Sequence, residues 1–428
     1  MANTKELNNT KTNVSYVAPF LTMVFLFFVV GFLTTANTQF QGPLKETFLA
    51  DAGSLKNTFA TLITFSWFLA YPLSGGIGSR WIDRKGYRTT LVRSLAVMFA
   101  GLGLVFLSSW MTVNYPALTF SIGNMVIPFG FVVFLLGSFV TGASVTILQV
   151  VVNPYLSACH VERTQPIQRL AMGGSANSIG TMLAPYFVSL IVFGGVAIDD
   201  ISVDSIMAPF LVMMAVVAVL AVTLSRLRLP DIQSTRASGA ETLDRSVWSF
   251  SNFRYGVIAI FFYVGAEVCI GANINMYATE KGFTDPALLA TLYWGGLLIG
   301  RLVGSTLSTV SPRTQLLVTT IAATVLTVLS VVFDSPALLV AVGLCHSIMW
   351  GAIYTLSVAG LGKYTAVASG VFMIGVVGGA ILPLMQGLLA DFTGGWRGTW
   401  MLVAACEIVM LTYALKGSKV KDKESVNT

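Results

Sequence analysis

Long stretches without a charged residue recur along the whole chain, and they limit the possible folds more than any other feature. A helical membrane span needs roughly 20 consecutive, mostly apolar residues. Seven charge-free stretches of the right length for one span are bounded by these pairs: Lys11 and Lys45, Lys56 and Arg80, Arg169 and Asp199, Asp204 and Arg226, Arg313 and Asp334, Asp334 and Lys363, Lys363 and Asp391.

Five further spans complete the count. The stretch from Arg93 to His160 is long enough for two spans, with a break around Asn114–Pro116. Three more spans contain or touch a charge, at 254–279, 286–309 and 397–416. The sequence therefore predicts an all-α membrane protein with twelve transmembrane helices.

The composition supports this class of protein. Of the 428 residues, 55% are hydrophobic and 10% are charged, whereas a soluble domain carries about 25% charged residues. The net charge of +6 therefore does not indicate a nucleic-acid partner, and the composition excludes an ordinary soluble enzyme. If both termini are placed in the cytoplasm, 21 of the 25 Lys and Arg residues fall on that side, as expected for a bacterial inner-membrane protein.

The organisation of the chain suggests two equal halves. The segments expected are a cytoplasmic tail (1–16), a six-helix bundle (17–228), a central cytoplasmic loop (229–252), a second six-helix bundle (253–416) and a tail (417–428). The fifth span of each half carries Gly and, five residues later, Pro: Gly180 with Pro185, and Gly378 with Pro383. This match favours an internal repeat and two pseudo-symmetric bundles. No cleavable signal peptide is expected.

Glycines cluster in spans two, five, eight and eleven, where small residues let helices approach closely. Two interpretations remain open, static packing and a moving interface between these helices. The four cysteines show neither metal spacing nor a disulfide pattern. No cofactor or metal is expected.

Glu267 is the first residue that could carry chemistry, because it lies in the middle of the seventh span. A charge at the bilayer centre costs about 2.5–3.5 kcal/mol on insertion scales, and burial disfavours the charged form of a carboxyl. A group that gains and loses a proton in a moving cavity could couple proton entry to transport. A structural hydrogen bond is the alternative. Glu407 in span twelve could be functional or structural.

Neutral polar and aromatic side chains predict a sugar site. Gln149 and Asn153 lie one turn apart and share a helix face, and amides both donate to and accept from hydroxyl groups. His346, Trp350 and Tyr354 form a stripe on span ten, although such stripes more often serve packing. The other candidates for substrate contact are Asn37, Gln39, Asn177, Asn273, Trp294 and Gln386.

A charged loop joins spans two and three. It contains Asp83, Arg84, Gly86 and Arg88, and such a loop could form ion pairs that hold one state of a rocking protein. Anchoring at the inner membrane surface is the alternative. Arg301, near the inner end of span eight, is expected to anchor a gate or to extend to the interface.

This loop, in a chain of six plus six spans, resembles the signature of the major facilitator superfamily, with Ser79 where glycine is usual. Several strings are similar to the fucose–galactose–glucose:proton symporter family and match its glucose/galactose-type members more closely. They include Asn153-Pro154-Tyr155, Asn177-Ser178-Ile179-Gly180, Tyr263 to Gly271, Tyr293-Trp294-Gly295-Gly296, and Gly378 to Gly387.

The resemblance implies two six-helix bundles around a central sugar cavity, with alternating access driven by cation entry. Fucose-type members use an Asp on span one and a Glu on span four, where this chain has Thr38 and Gln149. The resemblance therefore makes Glu267 the best candidate for the coupling carboxyl. We expect a monomeric symporter that imports a neutral hexose with H⁺ in preference to Na⁺. An exporter of another organic solute and a sugar sensor that does not transport are the alternatives. An enzyme is not expected, because no nucleophile–base pair or metal cluster is evident.

Overall fold

The computed structural model describes residues 17–49, 53–122, 125–159, 161–162, 164, 166–196, 200–226, 229, 244–304 and 310–421. The predicted tail 1–16, most of the predicted central loop, and residues 305–309 and 422–428 lie outside this part of the chain. The bounds of the predicted segments therefore stay predictions.

Six helices lie in the first half of the described chain. They are α1 (Val17–Gln39), α2 (Gln41–Thr47), α3 (Lys56–Asn114), α4 (Phe129–Ala158), α5 (Pro166–Tyr186) and α6 (Met207–Arg226). A π-helical turn, Phe187–Val192, extends α5.

The second half contains seven helices in its described residues. They are α7 (Ser251–Glu280), α8 (Pro286–Gly304), α9 (Pro312–Phe333), α10 (Ala337–Val358), α11 (Thr365–Phe372), α12 (Gly378–Thr393) and α13 (Trp400–Thr412). A short 3₁₀ turn, Met373–Val377, joins α11 to α12, so that the two form a single span.

The longest helix, α3, contains two spans. Its 59 residues would extend about 88 Å at 1.5 Å per residue, which is far more than a bilayer core. The helix breaks at Gly86, whose φ of 77° lies in the left-handed region that glycine adopts without a Cβ clash. Eleven stretches of the described chain are long and apolar enough to cross a membrane. Since one of them, Gly53–Asn114, is this double span, the described residues account for twelve crossings.

One element differs from the all-α prediction. The chain leaves α3 at Asn114, as predicted, but α4 begins only at Phe129. Between them, β1 (Thr119–Ile122) and β2 (Met125–Pro128) pair as an antiparallel hairpin. Counting charge-free residues could not detect this hairpin, because it is as free of charge as the helices beside it.

The helices of each half pack mainly on one another. In the first half α1 packs against α5, and α3 packs against α4 and α6. In the second half α7 packs against α10, α12 and α13. The halves meet where α3 contacts α12 and where α5 contacts α8. A chain with twelve crossings ends on the side where it began. We call that side the terminal face and the other side the opposite face.

Candidate functional site

Glu267 lies near the middle of α7, a helix that is buried along most of its length. Its side chain is half-buried. The carboxyl group interacts with the phenol of Tyr263, one turn earlier, and lies within electrostatic range of Arg301 and His346. The carboxyl is therefore surrounded by polar protein groups, as expected for an acidic residue inside a membrane protein.

Arg301, which acts electrostatically on this carboxyl, contacts the other half of the molecule. Its Nη1 donates a hydrogen bond of 2.7 Å to Oγ of Ser178, which places the guanidinium between α8 and α5. The predicted role at a gate is compatible with this position, because the contact crosses the interface between the halves. The structure thus places Glu267 within electrostatic range of Arg301, whose hydrogen bond to Ser178 crosses that interface.

Gln39 also crosses between the halves. Its Nε2 donates to the carbonyl oxygen of Gly271 at 3.0 Å, and its Oε1 accepts from Nδ2 of Asn275 at 2.5 Å. Both partners belong to α7. Gln39 therefore joins α1 to α7. This contact lies between Glu267 and the opposite face.

Two of the predicted sugar contacts lie next to an aromatic surface. Nε2 of Gln149 donates to the hydroxyl of Tyr71 at 2.9 Å, and the Tyr71 ring stacks on Phe68. Asn153, one turn further along α4, is half-buried. Phe68 in turn contacts Gly379 of the other half. These amides therefore lie close to the interface between the halves.

Asn37 and Asn177 make hydrogen bonds within the first half. Asn37 donates to the Ile63 carbonyl at 3.3 Å and accepts from Ser138 at 2.7 Å. Nδ2 of Asn177 donates to the Phe27 carbonyl at 3.1 Å. In this conformation these bonds join α1 to α3, α4 and α5.

Asn273 and Gln386 are bonded to each other, and neither side chain is exposed. Nδ2 of Asn273 donates to Oε1 of Gln386 at 2.8 Å, and Nε2 of Gln386 donates to Thr399 at 3.1 Å. The pair links α7 to α12 within the second half.

The stripe on α10 divides into two parts. His346 is fully buried, and its two ring nitrogens are occupied by Tyr293 and Glu407. Trp350 and Tyr354 are half-buried and both pack edge-on against Phe372. In this conformation only the second part of the stripe offers surface to a substrate.

Trp294 is nearly buried against Gly271, close to the Gln39 contact. Its indole Nε1–H is buried without a hydrogen-bond partner among the described residues. Buried donors of this kind are uncommon in native structures. This donor is therefore a group that a hydroxyl could satisfy.

The charged loop between the second and third spans lies at the terminal face. Asp83, Arg84 and Arg88 are exposed, and Gly86 forms the break in α3. Tyr87, next to the break, packs edge-on against Tyr155 of α4. The predicted ion-pairing role of these charges stays a prediction.

One important residue was missed by the sequence reasoning. In the sequence analysis Asp391 marked only the end of a charge-free stretch. In the structure its carboxylate accepts four hydrogen bonds, from the backbone and side chains of Asn57 and Thr58. Asp391 belongs to α12 and its partners to the start of α3. A lone Asp at a span boundary gives no sequence signal that distinguishes this contact from an ordinary solvated charge.

Two cavities in the described part of the chain bear on the site. The larger, about 420 Å³, is at the opposite face and is lined by charged and polar groups that include Lys45, Lys56, Glu280 and Asp391. The smaller, about 20 Å³, lies in the first half beside Asn37 and Ser138.

Comparisons with known proteins agree with this architecture. The family model described as Major Facilitator Superfamily matches residues 27–376. A glucose/galactose transporter of Brucella abortus is 30% identical over 421 residues, which cover 96% of each chain. The L-fucose-proton symporter of Escherichia coli is 24% identical, over 94% of this chain and 93% of the relative.

A solved structure has the same fold. The inward open xylose transporter XylE of E. coli superposes with a TM-score of 0.71 at 13% identity, over 97% of this chain and 98% of the other. The relatives are named as transporters, in agreement with the expectation that the chain is not an enzyme. The matched residues, the twelve crossings and the full-length relatives place this membrane protein in the Major Facilitator Superfamily.

Proposed function

We propose that the protein imports a neutral hexose together with H⁺, by alternating access between two six-helix bundles. One observation carries the proposal: Glu267 lies within electrostatic range of Arg301, which bridges the two halves, and neutral amides and aromatic rings lie close to the same interface. The relatives named as glucose/galactose transporters and fucose-proton symporters support the substrate class and the coupling ion.

The neutral groups fit a sugar better than a charged or apolar solute. Gln149 and Asn153 offer donors and acceptors from α4, and Trp350 and Tyr354 offer aromatic faces from α10. Hydroxyl groups need both kinds of partner, and the apolar face of a pyranose can pack on an aromatic ring. We assign direct sugar contact in this conformation to these four residues, with Oε1 as the contacting atom of Gln149, because its Nε2 is bonded to Tyr71.

The remaining predicted contacts stay in the proposed set for other conformations. Their hydrogen-bonding groups join helices here, so that a sugar could reach them only after those bonds open. They are Asn37, Gln39, Asn177, Asn273, His346 and Gln386, together with the buried indole of Trp294.

The charge state of Glu267 provides the coupling. An ionised Glu267 attracts Arg301 toward α7, whereas a protonated Glu267 leaves the guanidinium to its hydroxyl partner on α5. Because Arg301 lies between the halves, protonation changes how strongly one half holds the other. Such a difference in contacts between two states is what a coupled ion must produce.

The described conformation is closed at the opposite face. There the halves are joined by Asp391 with Asn57 and Thr58, and by Tyr186 with Asp285 at 3.2 Å. We propose that both termini are cytoplasmic, in a bacterial inner membrane, so that the closed face is the outer one. The protein would then release sugar toward the cytoplasm from this conformation.

Uptake into proteoliposomes tests the proposal. Labelled glucose, galactose, fucose and N-acetylglucosamine would be offered under an imposed pH gradient and, separately, under an imposed Na⁺ gradient. We expect one hexose to accumulate under the pH gradient and to leak out when a protonophore collapses it. Accumulation under the Na⁺ gradient alone would overturn the choice of H⁺ as the coupling ion. If no sugar moves under either gradient, hexose import is wrong, and an exporter of another solute or a sugar sensor becomes the better hypothesis.

A further inference from the structure

A buried chain of polar groups lies behind Glu267 in the second half, and the proposed coupling step does not use it. It begins at Glu407 on α13, whose Oε1 lies 2.6 Å from Nε2 of His346 on α10. The other ring nitrogen, Nδ1, lies 2.7 Å from the hydroxyl oxygen of Tyr293 on α8. That hydroxyl lies 3.2 Å from the backbone carbonyl oxygen of Glu267.

The hydrogen bonds of this chain can be satisfied together in only one direction. The Tyr293 phenol has a single proton and two close neighbours, Nδ1 of His346 and the Glu267 carbonyl. A carbonyl oxygen can only accept, so the phenol must donate to it and must accept from Nδ1. His346 therefore carries a proton on Nδ1. If that proton were absent, two acceptor oxygens would face each other at 3.2 Å without a proton between them.

Burial decides where the proton between Nε2 of His346 and Oε1 of Glu407 lies. Neither His346 nor Glu407 has any exposed side-chain surface. The second carboxyl oxygen of Glu407, Oε2, is buried without a hydrogen-bond partner among the described residues. An unpaired oxygen of an ionised carboxylate costs far more to bury than an unpaired carbonyl oxygen. A proton on Oε1, donated to Nε2, leaves Oε2 as a neutral carbonyl oxygen and the whole chain uncharged.

We propose that Glu407 stays protonated throughout transport and, in the described conformation, acts as a positioning residue that fixes His346 and Tyr293 against the backbone of Glu267. The inference rests on the proposed function, in which Glu267 is the coupling carboxyl. Tyr263 adds to the same arrangement, because it donates its single hydroxyl proton to the His346 carbonyl at 2.9 Å. Its oxygen can therefore only accept from Glu267, which requires the Glu267 carboxyl to be protonated. Glu267 thus exchanges its proton during transport, whereas Glu407 keeps its proton.

Other groups that can ionise lie around this chain, on each helix packed against it. Arg301 acts electrostatically on Glu267, whereas the group that acts electrostatically on Glu407 is His346. Arg313 of α9 donates to the carbonyls of Ala414 and Leu415, at the terminal end of α13. The neutral groups facing the chain are Tyr263 and Cys269 of α7, Tyr293 of α8, Cys345 of α10 and Cys406 of α13.

Substitutions of Glu407 distinguish a positioning role from a role in releasing the coupled proton. In Glu407→Gln the amide nitrogen can donate to Nε2 as the carboxylic acid does, and the amide oxygen replaces the unpaired carbonyl. We expect pH-driven sugar accumulation within about twofold of the unsubstituted protein. In Glu407→Leu the Nε2 atom loses its donor, and we expect accumulation to fall about tenfold or more, since an unsatisfied buried group remains.

Tyr293→Phe keeps the test decisive if the leucine variant does not fold. It removes the hydroxyl that reaches Glu267, and we expect a loss of accumulation of about tenfold, with the pH dependence of sugar exchange altered. Tyr255→Phe is the matched control, because Tyr255 is exposed near the start of α7. Loss of accumulation in Glu407→Gln with retained exchange would overturn the proposal, since Glu407 would then release the coupled proton. Full activity in Tyr293→Phe would also overturn it.

Infrared spectroscopy tests the proton itself without transport. The difference spectrum between the unsubstituted protein and Glu407→Gln should contain the carbonyl band of a protonated carboxylic acid. We expect this band across about pH 5 to 8, the range in which an unperturbed histidine titrates. A band that is absent, or that vanishes as the pH rises, would overturn the proposal. Failure of sugar uptake by the unsubstituted protein would instead count against the proposed function and would leave this result standing.

Discussion

At the scale of single residues, the environment of Glu267 separates a coupling group from a merely buried one. The side chain is half-buried, has a phenol neighbour within its own helix and a guanidinium on the next helix. Glu407 has the same side chain but is fully buried, with one histidine partner. Access to a proton path, more than residue type, therefore decides which carboxyl can exchange its proton.

The substitution Glu267→Gln tests this role. It keeps the size and polarity of the side chain but removes the exchangeable proton. We expect uphill accumulation of sugar to disappear, while exchange of labelled for unlabelled sugar across the membrane continues. Both are measured in proteoliposomes, the first with and the second without a pH gradient.

The matched control for that experiment is Glu162→Gln, because Glu162 is exposed at the terminal face. It should accumulate sugar like the unsubstituted protein. If Glu267→Gln also accumulates sugar, the coupling assignment is wrong.

A second prediction concerns Asp334, which ends α9 at the opposite face. Hydrogen bonds from Lys281 and Tyr277 hold the pKa of its carboxyl below the ordinary value. A lowered folded-state pKa means that the ionised form is favoured in the folded protein. The contribution to stability is therefore present above the unfolded value, about 3.9, and is lost as the pH falls through the lowered folded-state pKa.

Asp334→Asn should remove this contribution. Asparagine tolerates the left-handed backbone of this position (φ 54°), so the substitution changes charge without adding strain. We expect a lower melting temperature in detergent at neutral pH, and a difference from the unsubstituted protein that shrinks below about pH 4. A difference that stays constant down to acidic pH would show that the charge of Asp334 does not contribute.

At the scale of helices, the repeated glycines turn out to pack tightly within each half. A methyl group added at Gly180 of α5 would overlap the Phe28 carbonyl of α1, and one added at Gly378 of α12 would overlap the Phe261 carbonyl of α7. Both contacts join the fifth span of a half to its first span. The repeat suggested by two glycine–proline pairs is thus also a repeat of helix contacts.

Some glycines of the clusters serve static packing and others lie at a moving interface, depending on their position. Gly173, Gly180, Gly300 and Gly378 meet helices of their own half, which fits static packing. Gly379 meets Phe68 across the halves, and Gly295 meets Met182 across the halves. Gly387 of α12 meets Thr61 of α3 in the same way, and these three glycines lie at an interface that must change during alternating access.

Alanine substitution tests the packing at the repeated contact. Gly180→Ala and Gly378→Ala should each lower stability by about 1–3 kcal/mol, the usual cost of inserting a methyl group into a packed interior. Gly351→Ala is the control, because a Cβ there meets no atom within 4 Å, and it should be neutral or slightly stabilising. Thermal unfolding in detergent measures all three. Equal stability of Gly180→Ala and Gly351→Ala would contradict the contact.

At the scale of the whole molecule, one carboxylate helps to hold the halves together. The helix α3 begins without a side-chain cap of its own, and Asp391 supplies that cap from the other half. A carboxylate at a helix N-terminus is favourable both as a hydrogen-bond acceptor and through the helix dipole. The bond forms only while the opposite face is closed, so it stabilises that conformation.

Asp391→Asn should therefore shift the population toward opening at this face. The loss of a capping carboxylate costs about 1 kcal/mol. Spin labels on cysteines placed at Ser54 and Phe392, both exposed, would report the separation of the halves. We expect a longer-distance component to grow in Asp391→Asn and not in Asp204→Asn, an exposed acid in another loop. Identical distance distributions in both variants would show that Asp391 does not hold the face closed.

The sequence by itself determined the number of spans and the likeness of the two halves. Charge-free length and glycine spacing are local properties, and a bilayer converts them directly into helices because no other backbone arrangement satisfies its hydrogen bonds there. The mid-span position of Glu267 was readable for the same reason.

Only the tertiary structure decided which polar groups are available for chemistry. His346 was predicted to contact sugar, yet both of its ring nitrogens are occupied by side chains far away in the sequence. The joining of Asp391 to the start of α3 and of Arg301 to Ser178 likewise depends on contacts between distant helices. A hydrogen bond depends on the distance and direction between two atoms, and for groups on different helices these are fixed only when the helices pack.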